Sequence, residues 1–183
     1  MSTKRVMIAA ITAIGLLGSL VSYAEEEKRS FGEYADDKII LTKVKSALTS
    51  DKTTEAHEIN LEVNKGIVQL NGFVNTEKEK AQATVVAQGV EGVKKVENNL
   101  IVKTEGSSTG QSIDDSSITT KVNTALIESK DTKAGDIKVA THNGVVQLSG
   151  FVDNEAQKTA AANVAKAVKG VKSVQNDLHV KGQ

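Results

Sequence analysis

Residues able to carry chemistry are few in this chain. His57, His142 and His179 are its only imidazoles among 183 residues, and it has no cysteine. General acid–base work and metal binding need partners at fixed spacing, yet no H-E-x-x-H occurs, nor a phosphate-cradling G-x-x-x-x-G-K-[ST] or a dinucleotide-binding G-x-G-x-x-G. The absence of cysteine excludes disulfides, thiolate metal sites, a cysteine nucleophile and a lipid-modified N-terminal cysteine. Two carboxylate pairs remain, Asp36-Asp37 and Asp114-Asp115. Each precedes an apolar helical stripe, which favours capping and interaction with the helix dipole over acid–base or metal chemistry. The sequence therefore predicts no catalytic residue, no metal site, no cofactor and no small-molecule substrate.

The elements that position these residues follow from an internal repeat. Residues 36–105 match 114–183 at a constant offset of 78 without a gap, with about half the positions identical. Ile40, Val44, Ala47 and Leu48 recur as Ile118, Val122, Ala125 and Leu126, one apolar stripe of a first helix. Ile59, Leu61 and Val63 alternate with polar residues, as do Ile137, Val139 and Thr141, which reads as a half-buried strand. Asn64-Lys65-Gly66 and His142-Asn143-Gly144 supply turn chemistry, and Val68, Leu70 and Val74, or Val146, Leu148 and Val152, continue as a second strand. Gly72 and Gly150 interrupt that strand where a bulge or a close helix leaves no room for a side chain. Thr76 to Glu79 and Asn154 to Gln157 have capping-box form and open a second helix with an alanine and valine face. Gly92 and Gly170 end it, and Val96 to Val102 or Val174 to Val180 alternate as a last strand.

The expected fold class is α+β: two tandem small α/β sandwich domains, each helix-strand-strand-helix-strand, with a three-stranded mixed sheet covered by two helices. Residues 1–24 read as a signal peptide, with Lys4 and Arg5 ahead of an apolar run and Ser22-Tyr23-Ala24 as the cleavage site. Residues 25–35 read as a flexible arm, 36–103 as the first domain, 104–113 as a polar linker allowing reorientation, and 114–183 as the second domain. Without the leader the chain carries 21 basic and 23 acidic residues, a net charge of −2, which excludes the basic excess of a nucleic-acid binder. A soluble, monomeric periplasmic protein is the resulting expectation.

The G-x-V-x-L-x-G-x-V pattern from Gly66 to Val74 and from Gly144 to Val152, with the closing G-V-x-x-V-x-N-x-L from Gly92 and from Gly170, resembles the BON domain. Two such domains behind a leader resemble the osmotically inducible protein Y family. The resemblance implies a non-enzymatic protein of envelope and osmotic stress, with phospholipid contact or chaperone-like binding of unfolded outer-membrane or secreted proteins as its activity. In the lipoprotein branch it implies lipid contact through the first helix of the second domain.

Differences between the copies isolate what the fold does not require. Ile127 replaces Thr49 off the apolar stripe, with Lys121, Lys130 and Lys133 nearby, a candidate surface for anionic phospholipid. Three lysines at about 1 kcal/mol each and one buried isoleucine at about 1.5–3 kcal/mol sum to about 4.5–6 kcal/mol before ordering costs, a weak and salt-sensitive contact. Ile39 and Leu41 stand where the second copy has Ser117 and Thr119, a candidate interdomain contact or client patch.

Overall fold

A computed structural model describes residues 36–103 and 109–181; the leader and the arm lie outside them. The chain is helical over 36–50 (α1), where Ile40, Val44 and Leu48 form the buried stripe. Asp51 then accepts from the N–H groups of Thr53 and Thr54, and the Thr54 hydroxyl donates to the Leu48 carbonyl at 2.5 Å, closing the helix end. Strands β1 (Ile59–Asn64) and β2 (Ile67–Val74) pair antiparallel, α2 (Glu77–Gln88) crosses over, and β3 (Lys95–Asn98) and β4 (Ile101–Val102) both run parallel to β2 as one interrupted third strand. The second half repeats the order as α3 (Thr109–Glu128), β5 (Ile137–His142), β6 (Val145–Val152), α4 (Glu155–Ala167) and an unbroken β7 (Ser173–Val180). Each half is a three-stranded mixed sheet with two helices packed on one face, as the periodicity predicts.

Three local details differ from the sequence reading. Helix α3 starts at Thr109, inside the stretch 104–113 read as linker; once the buried stripe nucleates the helix, extending it backwards adds a hydrogen bond per residue at little further cost. The paired aspartates do not act as the caps the sequence suggests: Asp114 and Asp115 lie inside α3, five and six residues past Thr109, and the carboxylates of Asp37 and Asp115 act on the hairpins instead. Asp37 accepts from the N–H groups of Lys65 and Gly66 at 2.7 and 2.8 Å, and Asp115 does the same for Asn143 and Gly144. Each carboxylate thereby ties the first helix to a two-residue hairpin turn whose central residues both have positive φ, 52° and 79° in the first copy. Gly72 and Gly150 make room for backbone, not for a helix: a Cβ there would lie 2.2 and 2.1 Å from the carbonyl oxygens of Glu58 and Asp136.

The capping boxes form as the sequence indicates. Thr76 and Asn154 accept from the N–H groups of Glu79 and Gln157, whose side chains reach back to the N–H groups of Asn75 and Asp153.

Replacing Asp115, buried at 6% exposure, by alanine removes two charge-assisted bonds and strands the buried Gly144 N–H. We expect a loss of about 3 kcal/mol, measured by urea unfolding. An unchanged midpoint would show that Asn143-Gly144 sets the turn unaided.

Candidate functional site

The outward faces of the two sheets meet each other. Alternation along β2 and β6 sends Val68, Leu70 and Val74 to the helices and Gln69, Asn71 and Phe73 to the opposite face, where all three are buried at 7% exposure or less. Gln147 and Ser149 of β6 are equally buried on their matching face. The contacts are reciprocal. Gln147 Oε1 accepts from Gly72 N–H at 2.6 Å and Gln69 Oε1 accepts from Gly150 N–H at 3.3 Å. Gln147 Nε2 also donates to the Asn99 carbonyl, the point at which the third strand of the first half is broken, and to Asp177. Phe73 lies 5.3 Å from the His142 ring across the seam, and Phe151 reaches a cleft of about 650 Å³ beside Leu41, Leu61 and Glu62. The layers therefore run helices, sheet, sheet, helices, and the domains are docked rather than free to reorient.

Charges reinforce the seam. His179, near Phe151 at 6.1 Å between ring centres, places Nε2 3.1 Å from Glu97 of the other half. Burial raises the Glu97 carboxyl, but the Lys95 ammonium and His179 outweigh it and hold the group below its usual range. Burial dominates at Glu62, whose pKa is raised despite Lys138 at 3.9 Å. His142 and His179 are thus seam residues, although the sequence places His142 in a hairpin turn.

Docking the sheets leaves both helical layers outside, and this places the sequence candidates. Ile127 is 72% exposed on α3, and Lys121 and Lys130 are exposed on and just beyond that helix. Lys133 is drawn away from them into an ion pair with Asp153, which Lys181 also meets at 2.9 Å. These two lysines, Lys133 first, lower the Asp153 carboxyl to about 2. The first copy explains why: Glu55 and Asn75 stand at the positions of Lys133 and Asp153 and are joined by a 2.9 Å hydrogen bond. The lysine at 133 is matched by the new carboxylate at 153, so it answers an internal charge. Ile39, 53% exposed, and half-buried Leu41 point apart, Ile39 to solvent and Leu41 into the seam cleft.

Among the described residues, Glu55, His57 and Glu58 could bring ligand atoms within 4.8 Å of one another. Lys103 already holds both Glu58 oxygens at 2.5 Å, so a metal at Glu58 would have to displace an ammonium group. Lys181 with Asp136 repeats this bond in the second copy at 2.8 Å. Gly106-Ser107-Ser108-Thr109-Gly110 spells G-x-S-x-G in the inter-domain stretch; Ser108 lies outside the described residues, and the motif alone names no base for a nucleophile. No described helix is long and apolar enough to cross a membrane.

Two small α/β domains docked through their sheets, with helices outward, define a tandem-domain architecture. Residues 36–104 and 114–182 each match the BON domain, and the chain belongs to that family. It is 40% identical over 152 residues to osmotically-inducible protein Y of Escherichia coli, covering 82% of this chain and 75% of that protein. It is 35% identical to outer membrane lipoprotein DolP of Haemophilus influenzae, covering 86% and 81%, and 36% identical to a 21 kDa hemolysin of Actinobacillus pleuropneumoniae, covering 81% and 76%. Like the BON-domain relatives it matches, the protein is non-enzymatic.

The glutamine clamp is testable. Gln69→Ala/Gln147→Ala leaves the Gly72 and Gly150 N–H groups without their acceptors, at about 1–3 kcal/mol for each buried group. We expect the two halves to tumble separately in NMR relaxation while each keeps its fold. A single shared correlation time in the double variant would show that the aromatic and charged contacts suffice.

Proposed function

We propose that the protein acts in the periplasm in an envelope stress role, through weak and reversible contact with anionic phospholipid. The relatives' names, osmotically-inducible protein Y and outer membrane lipoprotein DolP, support the envelope stress role. The observation carrying lipid contact is Ile127, the most exposed large hydrophobic of the described residues, on the outer face of α3. Isolated exposed aliphatics are ordinary; this one sits between exposed Lys121 and Lys130 and replaces the threonine of the other copy.

With Lys133 engaged by Asp153, two lysines and the isoleucine give about 3.5–5 kcal/mol before ordering costs, a dissociation constant from the millimolar range to about 0.2 mM. Binding of this strength needs high local lipid concentration and weakens with salt. Ile127→Ser should weaken sedimentation with phosphatidylglycerol vesicles at low salt by about ten-fold or more, with unfolding unchanged. Equal binding by the variant would remove Ile127 from the contact.

Ile39 favours a second reading, capture of unfolded envelope proteins, because it is exposed at the rim of a cleft of about 420 Å³ beside Ile40. That reading predicts that stoichiometric protein slows aggregation of an unfolded outer-membrane protein and that Ile39→Ser does not. Failure of the unaltered protein to slow it would dismiss the reading.

A further inference from the structure

Some charge differences between the two copies are answered locally. Glu55 becomes Lys133 as Asn75 becomes Asp153, whereas the acid at Glu58 and Asp136 is kept with Lys103 and Lys181 against it. At another pair of positions the partner has not changed in step. In the first copy Lys43 of α1 pairs with Glu91, in the loop after α2, at 3.1 Å. The corresponding residues of the second copy are Lys121 and Lys169, both exposed lysines.

The backbone holds these positions in the same relation in both copies. Gly92 packs on Ile40 and Gly170 on Ile118, so closely that a Cβ on either glycine would meet the isoleucine Cγ1 at 3.0 and 3.1 Å. This anchors the loop carrying Lys169 to α3, three residues before Lys121. The stem of Lys172 lies over Gly144, as that of Lys94 lies over Gly66, so a third ammonium group belongs to the same end of the domain. In the first copy Asp36 and Asp37 line one cleft with Lys43, Glu91 and Lys94, and among the described residues their counterparts here are Asp114 and Asp115. Asp115 is occupied by the hairpin turn, and exposed Asp114 lies seven residues before Lys121 on the same line of α3, about 10 Å along the axis. Where the first copy places a cation against an anion, the second places like charges together, an arrangement that an external anion relieves.

We propose that Lys121, Lys169 and Lys172 form an anion-binding notch, between α3 and the loop after α4, that takes a phosphate group. Phosphoryl oxygens accept from several ammonium donors at once, and the notch opens on the helical layer, away from the sheet seam. The inference deepens the lipid reading and rests on it for the source of the phosphate, the headgroup of an anionic phospholipid; free phosphate offers the same chemistry.

Two charge swaps test the notch in the full protein. Lys169→Glu rebuilds the ion pair of the first copy and should weaken binding to phosphatidylglycerol vesicles by about ten-fold or more while leaving the urea midpoint in place. Glu91→Lys builds a second notch in the first domain and should strengthen that binding. Side-chain NMR of the lysines during titration with inorganic phosphate separates the sources. If vesicles bind the protein and Lys169→Glu equally, the notch is wrong and the lipid reading stands. If vesicles do not bind, yet phosphate shifts Lys121, Lys169 and Lys172 in the protein and not in Lys169→Glu, the notch stands with free phosphate and the lipid reading falls. A protein that responds to neither probe overturns the notch.

Discussion

A buried amide on a sheet face needs a partner, and here each domain supplies the partner for the other. Gln69 and Gln147 lie on strand faces that alternation assigns to solvent, yet both are essentially inaccessible between the packed sheets, where each side-chain oxygen receives a backbone N–H from the opposite domain. Those N–H groups belong to Gly72 and Gly150, whose positive φ and missing side chains also let a neighbouring carbonyl approach within van der Waals distance. One glycine in each copy thus serves the sheet within its domain and the bond between domains.

The orientation of everything else follows. With sheet against sheet, α1 and α2 cover one outer face and α3 and α4 the other, so the two first helices cannot present one continuous surface. Leu41 is turned toward the seam and its counterpart Thr119 instead bonds Thr141 at 2.7 Å. The copies share a fold and the glutamine–glycine contact, and they differ both at the seam, as at Leu41 and Thr119, and where they meet solvent.

Comparing copies is informative only once the structure supplies the neighbours. In sequence, Lys133 reads as part of a basic surface because its counterpart is Glu55, but the residue at 153 has changed with it to a carboxylate. Lys169 is unremarkable in sequence, a lysine after a helix, until the Lys43–Glu91 pair shows what its position faces. A charge difference has functional content only when its structural partner has not changed in step.

The duplication, the order and class of the elements, the hairpin turns, the capping boxes and both cores are legible in local patterning, because they depend on periodicities of 2 and 3.6 residues and on turn chemistry within a few positions. The sequence also carried a signal for the seam that alternation hid: an identical glutamine and phenylalanine in both copies on a face expected to be wet. Three-dimensional packing sets the rest: that this face is dry, that Asp37 and Asp115 hold turns 28 or 29 residues away, and which of the lysines on the second domain's outer layer meet a carboxylate. Those are pairings between residues distant in the chain, and their energies depend on burial and distance, which local patterning does not encode.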